Sequence, residues 1–440
     1  MASVVPVPVV TAAEDGIREF LATTCGAPSA DAHISAADLI SSCRDDYGRG
    51  GHNTVLFLPV ATQGGCSYTV VVVVVVSSSS SRSSSTDPGA SRLVLQLRSL
   101  RYAVVGAILR DAARIFPRWA PKLIRDEILA LGGGYLGDGG MMIQVLEMSF
   151  VGGMKFDDVV GMVHEKMLGE VVLSKLENLL GDMASFFATA YYEGIKHEKK
   201  EEEEEEKDES DEENRRSWQK HKCTGIIGSS IPQRLQSLEQ HLPSPELRHI
   251  AHISRQSYAQ GTLDMLPIVL NHGDLLPCNL LVDPSTWHLT GVVDWAEAEY
   301  LPFGMTLYGI EHLLGGYMYR DMTEMSPGGE GGGGKDSASF VFYQEANMLR
   351  EMFWNQLLGR VHVFRRSDMW HAMCLSRTIG ILLWHGIAWD GGKRDRVVDY
   401  QRDGEEVSCL EQMLGVTSSS SSSQSSSGQA VCAVQDAFLG

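Results

Sequence analysis

The sequence predicts an α+β chain in which a small β-rich region precedes a larger, mainly helical one. Three observations predict it. Short apolar runs bounded by turn residues crowd the first 153 positions. Apolar residues at helical spacing dominate the rest of the chain. Between the later helices sits a polar motif, NHGDLLPCNLLVD (271–283), carried on two short strand-like runs.

The β-rich region is built from NTVLFLPV (53–60) and YTVVVVVVV (68–76), which flank a Gly-Gly turn, and from RLVLQLR (92–98). The valine run reads as a buried strand or as an aggregation-prone low-complexity excess. YAVVGAILRDAARI (102–115) has helical spacing, and MMIQVLEMSFVGG (141–153) reads as a strand ending in a turn. Beyond it, helical spacing runs over 159–195, 231–242, 245–260, 339–360 and 367–389.

Four low-complexity segments interrupt this pattern: 77–89 (Ser-rich), 197–214 (acidic), 326–337 (Gly-rich) and 417–428 (Ser-rich). None can bury enough apolar surface to offset the entropy of ordering it. The expected organisation is an N-terminal extension at 1–30 and a β-rich lobe at 31–153 carrying the 77–89 insertion. A helical lobe at 154–416 carries the 197–214 and 326–337 insertions, and a tail occupies 417–440.

A length of 440 residues and an apolar fraction of 43% suit a soluble globular protein with a sizeable core. About half of the formal charge of −19 comes from the acidic run, so the charge describes one solvated insertion. No basic patch with interleaved aromatics stands out, which argues against nucleic acid as a partner. Eight scattered cysteines without CxxC spacing read as reduced thiols. The N-terminus lacks a basic n-region, and the apolar run at 69–76 is far shorter than the roughly twenty residues of a membrane helix. No membrane partner and a cytoplasmic location are therefore expected.

The chemistry lies in HGDLLPCN. An Asp and an Asn five apart on a curled loop can converge, supplying a catalytic base and a metal ligand for phosphoryl transfer. NLLVD, DPSTWH and LTGVVD read as strand, turn and returning strand, which would bring Asp294 back beside Asn279. A carboxylate and an amide oxygen are hard ligands suited to Mg²⁺. Each residue also has a plain reading: a turn cap for Asp274, loop-backbone satisfaction for Asn279, a strand end for Asp294. Cys278 has no partnered His and reads as a small buried thiol.

HGDLLPCN followed by VVDWAEAEYLPFG resembles the catalytic signature of aminoglycoside phosphotransferase and choline kinase-type enzymes. The resemblance implies a two-lobed protein kinase-like fold, with a small β-rich N-lobe and a larger helical C-lobe. It implies ATP and Mg²⁺ as cofactors and a hydroxyl of a small molecule as phosphate acceptor. It implies Asp274 as catalytic base, Asn279 and Asp294 as magnesium ligands, and His272 as the brace of the loop. It spans about 260–312 strongly and about 45–195 more weakly.

The upstream lobe should then supply the nucleotide contacts. YGRGGHNTV (47–55) offers Gly50 and Gly51 as a phosphate-covering turn or an ordinary hairpin turn. The strand that should carry a phosphate-pairing Lys holds Gln96, with Arg98 two residues on and on the same strand face. Asp111 stands for the family's helix Glu, and Glu147 and Met148 stand where the adenine-contacting backbone is expected. Missing the Lys charge opens a second hypothesis, a catalytically weak or inactive pseudokinase-like binding module. Glu297, Glu299 and Glu311 face either a cationic acceptor or water.

Overall fold

The computed structural model describes residues 8–25, 54–60, 63, 66–75, 90–131, 141–160, 168–205, 223–319, 338–390 and 393–416. The chain divides into two compact units, Met1–Gly152 and Gly153–Gly440.

The first unit opens with α1 (Pro8–Thr23), followed by β1 (Thr54–Pro59), β2 (Ser67–Val75) and β3 (Ala90–Ser99). Next come α2 (Gly106–Ile115), β4 (Leu123–Leu131) and β5 (Met141–Ser149). The strands form one antiparallel sheet in the order β1-β2-β3-β5-β4. The valine run is a strand because alternation lets it bury one face. Val70, Val72 and Val74 are buried with Leu95, Leu97, Ile143 and Val145 against Ala13, Ile17, Phe20 and Leu21 of α1. Each of the larger side chains contributes about 1.5–3 kcal/mol on burial. The segment expected to be an extension thus supplies the cover of this sheet face. Strand β4 was not expected from the sequence. It is an edge strand whose Ile124 and Ile128 are exposed, so the alternation that marks a half-buried strand is absent.

The second unit starts with β6 (Met154–Lys155), a short α3 (Phe156–Val160) and the long α4 (Glu170–Glu205). The helix expected over 159–195 is therefore two helices. The second also continues into the acidic run, correcting the expectation of a loop insertion from residue 197. Glu and Lys are strong helix formers, and low complexity alone does not break a helix. A one-turn α5 (Gly225–Gly228) precedes α6 (Ile231–His241) and α7 (Pro245–Ala259). Helix α7 begins on Ser244, whose hydroxyl accepts from the Leu247 N–H, with Pro245 at the first helical position.

Four short strands then hold the motif: β7 (Ile268–Asn271), β8 (Leu280–Val282), β9 (Leu289–Val292) and β10 (Glu299–Pro302). Strand β7 pairs with β10, and β8 pairs with both β6 and β9. After α8 (Tyr308–Leu313) come β11 (Gly315–Tyr319) and β12 (Ala338–Phe342), an antiparallel pair. Helices α9 (Ala346–Arg360) and α10 (Ser367–His385) follow, then the pair β13 (Ile387–Asp390) and β14 (Lys393–Val397), and α11 (Gly404–Met413). The helices expected over 339–360 and 367–389 each lose one end to a strand. In both cases a short apolar run abuts a helix and periodicity alone cannot separate the two.

The core of this unit forms where α4 meets α9. Phe187 sets its ring edge-on to Phe353 at 6.0 Å, and Phe303 stacks on Phe364 at 5.1 Å. The side chains of Leu179, Met183, Leu357 and Ile379 are fully buried. This packing fixes the strands that present the motif. Among the described residues, no helix is long and apolar enough to cross a membrane.

Candidate active site

The loop between β7 and β8 turns sharply at Gly273. Its φ is +77°, and a Cβ there would stand 1.9 Å from the Glu297 carbonyl oxygen. Only glycine permits both the left-handed conformation and that approach. His272 points inward and is almost wholly buried. Its Nε2 donates to the Val293 carbonyl at 2.9 Å, its Nδ1 accepts the Asp274 N–H at 3.3 Å, and its ring packs edge-on to Trp295 at 4.7 Å. Burial pulls its pKa down to about 4, so the imidazole is neutral at physiological pH. These contacts make it a brace between the loop and the strand end at Val293.

Asp274 and Asn279 meet as their spacing predicts. The Asn279 amide Nδ2 donates to the Asp274 carboxylate Oδ2 at 2.9 Å and to the Asp274 carbonyl at 2.8 Å. One turn of 3₁₀ helix (Pro277–Asn279) makes the curl. The β8–β9 hairpin then returns: the Val293 N–H donates to the Asn279 carbonyl at 2.9 Å. Asp294 is therefore one residue beyond the partner of Asn279. It is exposed and adopts a left-handed conformation with φ 61°. Asp tolerates that region better than most residues, but at a cost of order 1 kcal/mol, and such strain concentrates at functional positions.

The surroundings of Asp274 are unfavourable to its charge. Burial first, then the nearby carboxylates of Glu297 and Asp294, push its pKa up to about 7, against the Asn279 hydrogen bond and the Arg394 charge. Cys278, next to Asn279, is pushed up to about 11 by burial and by Asp274, which leaves it a protonated thiol and a poor nucleophile.

Other expected site residues fall elsewhere. Gln96 lies on β3, its amide donating to Ser67 Oγ and Thr69 Oγ1, both at 3.3 Å, and accepting from Arg98 Nε at 3.2 Å. Arg98 is buried and also donates to the Tyr102 carbonyl. Asp111 on α2 pairs with Arg114, three residues along its own helix. Glu147 is buried on β5 with its carboxylate 3.2 Å from Arg125 of β4, and Met148 is the next residue of that strand. Gly50 and Gly51 lie outside the described residues.

The three acids considered for a cationic acceptor all have partners inside the unit. Glu299 accepts from the backbone N–H groups of Ile226, Ile227 and Gly228, at 2.6–3.1 Å. Glu297 pairs with Arg394. Glu311 is fully buried between Arg350 and Arg377, so it faces neither of the two alternatives open in the sequence, an acceptor or water.

Sequence reasoning missed Tyr308 and Arg394 beside the loop. The Tyr308 hydroxyl accepts from the Leu275 N–H at 3.2 Å, and its ring stacks on Trp384 at 5.1 Å and 10°. Arg394 lies over the Trp384 ring at 4.9 Å. The usable signal was Asp390-Gly391-Gly392, a hairpin-turn sequence that places Arg394 on a returning strand.

Among solved structures, the chain is similar to an aminoglycoside phosphotransferase from Streptomyces rimosus. That match has 13% identity, covers 79% of this chain and 98% of the other, and has a TM-score of 0.36. It is also similar to a GDP complex of aminoglycoside 2'-phosphotransferase-IIIa at 12% identity, covering 86% and 97%, with a TM-score of 0.42. A third match is Plasmodium vivax ethanolamine kinase, at 12% identity, covering 83% and 84%, with a TM-score of 0.36. No curated protein sequence matches the chain. Residues 120–305, from the approach to β4 through β10 and including the loop described above, match the model of the phosphotransferase enzyme family (APH).

Proposed function

We propose that this protein transfers the γ-phosphoryl group of ATP to a hydroxyl of a small molecule. The observation that carries the reading is the Asp274–Asn279 pair, hydrogen-bonded in a loop that a hairpin closes onto Asp294. The family match over the same segment supports it.

In this reading Asp274 orients the acceptor hydroxyl and takes its proton. A carboxyl pushed up to about 7 is balanced between acid and base near neutral pH, where a general base works best. His272, neutral and hydrogen-bonded on both ring nitrogens, holds the loop and moves no proton. With its Nδ2 committed to Asp274, the Asn279 amide presents Oδ1 as a ligand atom. Asn279 Oδ1 and the Asp294 carboxylate form an oxygen-only donor set, in a cluster of carboxylates whose repulsion a divalent cation offsets. That chemistry fits Mg²⁺. Bound there, the ion would neutralise charge on the phosphate oxygens. The acceptor is proposed as a small alcohol. A positive charge on it finds little support, since Glu297, Glu299 and Glu311 have partners within the unit.

A second reading, a binding module with weak or no turnover, draws on one observation. Gln96 brings no charge to the strand position where a phosphate-pairing Lys is expected, and its amide is engaged with Ser67, Thr69 and Arg98.

The test is calorimetric binding of ATP with and without Mg²⁺, for the wild-type chain and Asp294→Ala. Binding that requires both the metal and Asp294 is expected. No binding at millimolar ATP would sink the kinase reading.

A further inference from the structure

Residues Gly273 to Leu275 are held from two flanks. On one, the Glu297 backbone and Cβ press against Gly273, 1.9 Å and 3.1 Å from where a Cβ would be. On the other, Tyr308 accepts the Leu275 N–H, and the adjacent Gly309 lies so close that a Cβ there would stand 2.5 Å from the Leu275 carbonyl oxygen. The Arg394 side chain reaches both. The Arg394 guanidinium pairs with the Glu297 carboxylate and covers the indole of Trp384, which stacks on Tyr308.

We propose that Arg394 is a positioning residue, which clamps the two flanks of the loop and so fixes where Asp274 points. This rests on the phosphotransferase reading for its consequence in catalysis, but the clamp itself is a property of the fold.

The geometry favours a clamp over a surface ion pair. The Arg394 side chain is 23% exposed, so it is largely withdrawn from water. A planar guanidinium can pair in its plane and stack through its face at once, which an ammonium cannot do as well. Its strand is short and held by pairing with β13, Ala388 opposite Arg396 and Ile387 opposite Val397. Helix α10, which carries Trp384, is buried over most of its length. A clamp therefore runs from a largely buried helix to the loop. Arg394 is also the cation among carboxylates: its charge opposes those of Glu297 and Asp294 at Asp274.

The experiment compares hydrogen–deuterium exchange of the full wild-type chain with Arg394→Gln and Arg394→Lys. It follows a peptide over 270–280 and a control peptide in α10. In Arg394→Gln the 270–280 amides should exchange roughly fivefold faster, the size of losing a part-buried cation–π contact and an ion pair together. The α10 peptide should not change, and Arg394→Lys should restore part of the protection. Where the wild type turns over ATP, Arg394→Gln should lower kcat and leave KM for ATP unaltered. Unchanged exchange at 270–280, or equal acceleration in both peptides, overturns the proposal. A wild type without turnover would overturn the phosphotransferase reading alone, because the exchange result stands without activity.

Discussion

Asp274 and Glu311 are both withdrawn from water in the helical unit, yet Asp274 is pushed up to about 7 while Glu311 is held down at about 2. The difference lies in their company. Glu311 sits between two guanidinium groups, and the Arg350 and Arg377 charges and hydrogen bonds outweigh the cost of its burial. Asp274 has carboxylates for neighbours, a neutral amide for its hydrogen-bond partner and Arg394 only as a more remote counter-charge. A carboxylate that is fully neutralised holds a fold together. One that is left electrically dissatisfied is available to take a proton or to welcome a cation.

The largest effect should come from Asp274→Asn. As general base, Asp274 is worth on the order of 10²–10⁴ in rate, so the variant should lose activity by that factor in a phosphotransfer assay. Its stability should move the other way. The native carboxyl keeps its proton at a pH where the unfolded chain has released it. Stability is therefore lost as pH rises from about 4 through about 7. Removing the group should stabilise the chain at pH 8 in metal-free buffer by at most about 4 kcal/mol, read as a higher melting temperature, and change little at pH 4. A variant less stable at pH 8 would break the contrast with Glu311.

Glu311→Gln should do the reverse. It leaves two buried arginines facing a neutral amide, which costs about 3–5 kcal/mol. Here the folded pKa lies below the unfolded one. The contribution of Glu311 is fully present above about 4.5 and is lost as pH falls toward about 2. Denaturant unfolding of both chains at pH 7 and pH 3 would check this. A loss of stability that does not shrink at low pH would show that packing, not charge, holds the cluster.

How much of this contrast was legible in the sequence depends on distance along the chain. The Asp274–Asn279 meeting is a local event, a five-residue curl followed by a hairpin, and local spacing encodes it. The Glu311 cluster joins α8, α9 and α10 across 39 and 66 residues, so the sequence offers only an acceptor or water for it to face and hides both arginines. Arg394 lies 97 residues from Glu297 in the sequence, so a local turn signal can place it on a returning strand but not beside Glu297. The fold shows the same limit. The valine strand announced itself as a short β-branched run beside turn residues, whereas β4 and β12 did not. An edge strand with exposed isoleucines and a five-residue strand against a helix carry no periodicity of their own.

The smallest effect, and the one that separates the two functional readings, is expected from Gln96→Lys. A new ammonium within reach of a phosphate would add a charge-assisted hydrogen bond of about 1.5–3 kcal/mol, roughly tenfold or more in ATP affinity. Two costs reduce it. Gln96 gives up its bonds to Ser67 and Thr69, and the ammonium meets the Arg98 guanidinium that now donates to the Gln96 oxygen. Like charges at that separation oppose each other by on the order of 1 kcal/mol or more. The net gain should therefore stay below about tenfold in kcat/KM, with a small fall in melting temperature. Turnover that rises would mark the chain as a kinase working with a depleted phosphate site. Turnover that stays at background while the fold is intact would favour the binding module, because a site without chemistry has nothing for the added charge to accelerate.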